Sequence, residues 1–246
     1  IGSQSNQIEI NGSNTNNGLI VVNANKLSEL SYVQFNNLSN PKKDNWEVPG
    51  SVTFYQSPVK INNSIFKGAN SEDNLNIIRT TFEIEETSFI DSESDAIDID
   101  FSDGTMKNVN INHSGNDGLD ISGSNLEVSH LKINSTVDKS ISVGEASTIN
   151  INSSIISNST IGIASKDNSK VNIKNSDIIK NQYAFAVFQK KPEFGGASIR
   201  GYDINLKSNS QLFILSKGSK LFVNNQNLEP NTKNSLINKI IYGKEF

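Results

Sequence analysis

Cysteine is absent from the 246 residues, and methionine and tryptophan occur once each. Without Cys, neither a disulfide scaffold nor a thiolate metal site is available. No run approaches the ~18 continuous apolar residues of a membrane span, so no membrane insertion is expected. The net charge is −4 and no basic block occurs, so no nucleic-acid partner is expected either. Ala, Leu and Glu do not dominate, which excludes an ordinary helical bundle. What is abundant is narrow: 37 Asn, 35 Ser and 31 Ile. A length near 250 suits one large all-β or α/β domain, or two small ones. Such a composition asks for a fold that repeats Ile inside and Asn or Ser at bends. The chain starts at Ile1 with nothing resembling a signal peptide, and reads as a mature product or an excised part of a longer protein.

Short strand-like segments recur every 22 residues. They are Asn74-Leu-Asn-Ile-Ile78, Ala96-Ile-Asp-Ile-Asp100, Gly118-Leu-Asp-Ile-Ser122, Ser140-Ile-Ser-Val-Gly144, Gly162-Ile-Ala-Ser-Lys166 and Ala184-Phe-Ala-Val-Phe188. Their second and fourth positions form two apolar columns, interrupted only at Ser165. Alternation marks a strand with one buried face, and a fixed period marks a repeat architecture. Further strands, such as Val109-Asn-Ile111 and Val171-Asn-Ile173, lie between, and no helical pattern is long enough to cover a sheet. The expected fold is all-β: a single-stranded right-handed parallel β-helix, a solenoid of about 22 residues per coil. Roughly ten coils at the ~4.8 Å strand spacing make a rod about 50 Å long. One domain is expected over residues 1–246, most regular at 73–188. Residues 40–50, with Pro41, Trp46 and Pro49, read as a protruding loop, and 226–246 as a C-terminal cap over the open end of the axial core. The middle strand slips by one residue around Ile149 and Ile151, which a turn must absorb.

The outward positions of the repeated strand are acidic. Preceding each strand stand Asp73, Asp95, Asp117 and then Lys139; the third strand position reads Asn76, Asp98, Asp120, Ser142. Asp100 and Lys166 occupy the fifth position, and Glu145 follows its strand directly. Stacking sets equivalent residues ~4.8 Å apart, where a like-charge pair at a surface costs roughly 1–3 kcal/mol. Such columns call for a cation, raised pKa values or neighbouring Lys. Singly, each Asp is a turn cap through Asx hydrogen bonds; together, on three adjacent coils, they read as an acidic groove. His113 and His130 fall in other columns and read as surface residues.

Two resemblances follow. Asn116-Asp-Gly-Leu-Asp-Ile-Ser-Gly-Ser124 with Asp138-Lys-Ser-Ile-Ser-Val-Gly144 resembles the core of the polygalacturonase-like glycosidases of the pectin-lyase fold, whose two Asp-bearing motifs lie one coil apart. That resemblance places Asp117 and Asp138 at the family's acid and base positions. The sequence departs from it where the second Asp of the pair is Lys139, where the family's His is Ile161, and where its Arg-Ile-Lys motif is missing. More broadly, Ser71–Asn76, Ser94–Ser102, Gly115–Ser124, Asp138–Glu145, Ser165–Asp167 and Lys190–Gly196 resemble a group of bacterial right-handed β-helix domains of large secreted or surface proteins.

The expected function is that of an extracellular or cell-surface, carbohydrate-active protein acting on a polysaccharide or surface glycan. Hydrolysis would use two carboxylates among Asp95, Asp98, Asp117, Asp120 and Asp138. Elimination or epimerisation would use Lys139 or Lys166 as base, with Asp73, Asp100 and Glu145 as candidate Ca²⁺ ligands. The alternative is non-catalytic: an adhesin, glycan-binding or structural segment beside other domains of a larger protein.

Overall fold

The computed structural model describes residues 1–13, 17–233, 236–237 and 240–241. Among them, 24 strands share one hydrogen-bonded set, and every pairing within it is parallel except the last, Lys220–Val223 with Gln226–Leu228. The chain winds into a parallel β-solenoid of about ten turns. Three sheets run along it. The first contains Gly50–Tyr55, Asp73–Ile78, Asp95–Asp100, Leu119–Ser122 and Tyr183–Phe188. The second contains Thr81–Glu85, Asp103–Lys107, Asn125–Ser129 and Thr148–Asn152, and the third Ile65–Lys67, Ser88–Ser92 and Asn110–Ser114.

The 22-residue period is the stacking register. Leu75 lies opposite Ile97, Ile97 opposite Leu119, Leu119 opposite Ile141, Ile141 opposite Ile163, and Ile163 opposite Phe185. All are buried in one axial core. Phe35, Phe66 and Phe89 stack successively on the third sheet with ring centroids 4.7 Å apart. Burying one such side chain stabilises by roughly 1.5–3 kcal/mol. Ser165, the polar interruption, is buried and its hydroxyl lies 3.2 Å from the Ser198 carbonyl and 3.3 Å from that of Ser169.

The abundant Ser and Asn residues satisfy the bends. The Ser102 N–H donates to Ser124 Oγ at 2.8 Å, and the Ser124 N–H to Ser147 Oγ at 3.0 Å. These buried hydroxyls thus cap corner amides that no strand partner reaches. Asn23, Asn37, Asn63 and Asn108 turn corners at φ of 53°, 52°, 47° and 52°. Asn tolerates this left-handed region better than most side chains. Asn158 donates to Asn134 (2.6 Å) and Asn134 to Asn112 (2.8 Å), an amide ladder on the surface. His113 and His130 are exposed corner residues at φ of 59° and 54°.

The slip near Ile149 has a local cause. Glu145 and Ala146, both at positive φ, lengthen a turn, so Val128 faces Ile151. The register is restored between Thr136 and Lys139. Within 40–50, Lys42–Lys43 and Trp46–Glu47 form a small antiparallel hairpin outside the coils, closed by a 2.9 Å Lys42–Glu47 ion pair. Of the expected C-terminal cap, residues 234–235, 238–239 and 242–246 lie outside the described residues. Leu236, Ile237, Ile240 and Ile241 are helical. Ile237 does not join the axial core; it packs with Ile161, Ala164, Ala186, Phe188 and Ile214 on the outer face of the first sheet. Those outward side chains are apolar and take this segment as their cover.

Phe66→Ala should lower stability by about 3–5 kcal/mol in urea unfolding, because it opens a cavity between two stacked rings. A loss below about 1 kcal/mol would contradict the aromatic ladder as a structural element.

Candidate functional site

The acidic columns all open on the outer face of the first sheet. Ala96 and Ile97 both enter the axial core, so the strand breaks alternation there. Asp95, Asp98 and Asp100 then share the opposite side. The same geometry one coil earlier lets Asn76 Nδ2 reach Asp73 Oδ2 at 3.1 Å and Asp98 Oδ2 at 2.9 Å.

The first column is woven into the backbone. Asp73 lies opposite Asp95. Asp95 Oδ1 accepts the Asp117 N–H (2.8 Å) and Asn116 Nδ2 (2.7 Å), and Asp117 Oδ1 accepts the Lys139 N–H (2.9 Å). Lys139 Nζ sits 3.3 Å from Asp117 Oδ1 and also pairs with Asp138. Asp95, Asp117, Asp138 and Lys139 are therefore held as a buried or half-buried network that ties successive coils together. The second column differs: Asp98 lies opposite Asp120, and Asp120 opposite Ser142. In the third, Asp100 lies opposite Ser122, followed by Gly144 and Lys166. Gly144 leaves room that a Cβ would fill, 2.8 Å from Lys166 Cε. Lys166 thereby lies back across the coil, donating to Ser142 Oγ at 2.8 Å and standing 3.9 Å from Asp120 Oδ1.

Burial and crowding push the acids upward. Asp98 is pushed up to about 10 by desolvation and by Asp73, Asp100, Asp120 and Asp95 around it. Asp73 rises to about 8 and Asp95 to about 7, again through desolvation first and neighbouring carboxylates second. Asp100 and Asp117 rise to about 6; desolvation leads in both, and Arg79 restrains the first and Lys139 the second. A carboxyl at Asp98 thus keeps its proton through neutral pH, while Lys166 gives Asp120 a counter-charge.

Access is confined to a window. Asp98, Asp100 and Asp120 are half-buried, whereas Asn76 on one side of their column and Ser142 on the other are 1% and 0% exposed. Farther on, the face is apolar and covered by Ile237. Of the three adjacent coils expected to form an acidic groove, about two are open on this face. Of the candidate Ca²⁺ ligands, Asp100 lies near enough to both Asp73 and Glu145 to feel their charge, and Glu145 pairs with Lys191. Among the described residues no group of three Asp, Glu or His could hold a metal ion.

One charged neighbour escaped the sequence pattern. Lys190 lies in the loop after Phe188, its pKa lowered by desolvation and by Lys166 and Lys139. Asp167 Oδ1 holds the loop by accepting the N–H groups of Lys190 (2.6 Å) and Lys191 (2.8 Å). The sequence carried Lys190 only within the Lys190–Gly196 segment of the β-helix resemblance, outside the repeated acidic columns.

Because the folded-state values exceed 3.8, the native state binds protons that the unfolded chain releases. The associated stability is complete below about pH 4 and is lost as pH rises through the values of about 6 to 10. The urea midpoint should accordingly be higher at pH 5 than at pH 9, and Asp98→Asn should flatten that fall. Equal slopes in wild type and variant would remove Asp98 as the proton holder.

Residues 74–228 match the sequence family described as right handed beta helix region. No curated protein sequence matches the chain. The catalytic domain of a GH87 α-1,3-glucanase in complex with tetrasaccharides superposes with a TM-score of 0.48 at 9% identity, over 79% of this chain and 48% of its own. The Agl-KA catalytic domain gives 0.46 at 11% identity, over 91% and 60%. The Azotobacter vinelandii mannuronan C-5 epimerase AlgE6 A-module gives 0.39 at 10%, over 88% and 77%. The chain spans about half the length of the first of these structures and 60% of the second. Each likeness concerns the solenoid alone. With more than half of its length matched, the chain belongs to the right-handed β-helix family.

Proposed function

We propose that the open window of the first sheet hydrolyses a glycosidic bond in a polysaccharide, with Asp98 as general acid and Asp120 as its carboxylate partner. The observation that carries this reading is the asymmetry of the stacked pair. Asp98 is surrounded by carboxyls and an amide and holds a proton, while Asp120, directly opposite, has Lys166 at 3.9 Å. A carboxyl that keeps its proton, stacked against a second carboxyl with a lysine at hand, offers an acid beside a carboxylate partner. Cα atoms opposed in a parallel ladder are ~4.8 Å apart, compatible with the ~5–5.5 Å carboxyl separation of retaining glycosidases.

In this scheme Asp98 gives its proton to the glycosidic oxygen as Asp120 attacks the anomeric carbon. The bond to the leaving sugar breaks and a glycosyl–aspartate ester forms. Asp98, now ionised, takes a proton from water, whose oxygen displaces Asp120 and restores both groups. Asp95, Asp117, Asp138 and Lys139 hold the coils in register beneath the pair. The elimination reading is less well supported, because Lys139 is engaged by two carboxylates and Glu145 by Lys191. Polysaccharides of this kind are met outside the cytoplasmic membrane, which keeps an extracellular or cell-surface setting part of the proposal.

The test is a panel of neutral and uronic polysaccharides assayed for reducing ends and for unsaturated products. Reducing ends without unsaturated products are expected. Asp98→Asn and Asp120→Asn should each lower kcat by about 10²–10⁴. Activity undiminished in both variants, or no turnover on any polymer, would overturn the assignment.

A further inference from the structure

A second surface, on the outer face of the second sheet, has the character of a ligand trough. Alternation there sends Met106, Val128, Ile151 and Ile173 into the core and their neighbours outward. In register, Thr105 faces Glu127, Glu127 faces Asn150, and Asn150 faces Asn172. Asn172 donates to Asn150 Oδ1 at 2.9 Å, and Asn150 donates to Glu127. These side chains floor a hollow of about 730 Å³ that extends from Glu85 to Tyr202. That volume lies in the usual range of small-ligand sites. Tyr202 closes one end; it is 48% exposed, and its ring leans on Phe222 at 5.4 Å between centroids.

We propose that this trough binds a segment of neutral polysaccharide, separately from the acidic window. Three features select that occupant. First, the charged groups around the hollow balance, with Glu85 and Glu127 against Lys107 and Lys174. A polyanion or a polycation gains nothing there, whereas a hydroxyl-rich chain finds both donors and acceptors. Second, the ladder repeats at the ~4.8 Å coil spacing along the rod axis, so a linear repetitive ligand meets equivalent groups in succession. Third, an exposed aromatic ring already supported by a second ring offers the C–H face of a sugar a stacking surface at little entropic cost.

The experiment is affinity gel electrophoresis of the full chain in gels containing dextran, laminarin or glucomannan, with polygalacturonate as the anionic counter-probe. At least one neutral polymer should retard the wild type. Tyr202→Ala should weaken that retardation at least fivefold, and Asn172→Ala should weaken it measurably, with unfolding midpoints within 3 °C of wild type showing that both variants fold. Retardation only by polygalacturonate, by none of the neutral polymers, or equally in wild type and Tyr202→Ala would overturn the proposal. Cleavage is measured separately on short soluble oligosaccharides. Retardation without cleavage removes the hydrolase reading and leaves the trough; cleavage without retardation removes the trough.

Discussion

Everything in this molecule depends on in-register parallel stacking. Each residue lies directly over its equivalent in the next coil, ~4.8 Å away. Like therefore meets like. For Ile, Leu and Phe the consequence is a continuous axial core, including the Phe35–Phe66–Phe89 stack. For Ser and Asn it is a ladder of hydrogen bonds, as in Ser102–Ser124–Ser147, Asn112–Asn134 and Asn150–Asn172. A composition dominated by three residue types is the chemical result of one rule repeated turn after turn.

The same rule makes an aspartate column costly, and the first sheet shows three ways of bearing the cost. Asp95 and Asp117 accept backbone N–H groups of the following coil. Lys139 ends their column and neutralises it. Asp98, desolvated and ringed by the carboxyls of Asp73, Asp100, Asp120 and Asp95, is pushed towards retaining its proton. Its nearest fixed partner is the amide of Asn76. Destabilisation of the charged form is concentrated at Asp98, in the part of the face that stays open. Such concentration of strain at a reachable group is what a site for proton transfer requires.

The solenoid was legible because its signal is arithmetic. A fixed spacing of 22 and two apolar columns name a coil without reference to any long-range contact, and the residues so aligned are those that pair. The columns of acid were legible for the same reason. What they could not reveal was which acids are occupied. Asp95 and Asp98 look equivalent in the repeat, yet one caps the next coil and the other faces the window. Lys190 belongs to a loop outside the period, and so carried no column at all.

Sequence alone determined the strands, their spacing, the interior of each coil and the face on which the acids gather, because all of these follow from residue order at a constant period. Tertiary structure decided the rest. It laid Lys166 back over Gly144 towards Asp120, brought the loop of Lys190 against the site, and set Ile237 on the outer apolar patch. Those outcomes depend on side chains and loops that cross between coils. Their directions are set by room and charge in three dimensions, quantities that a linear period does not encode.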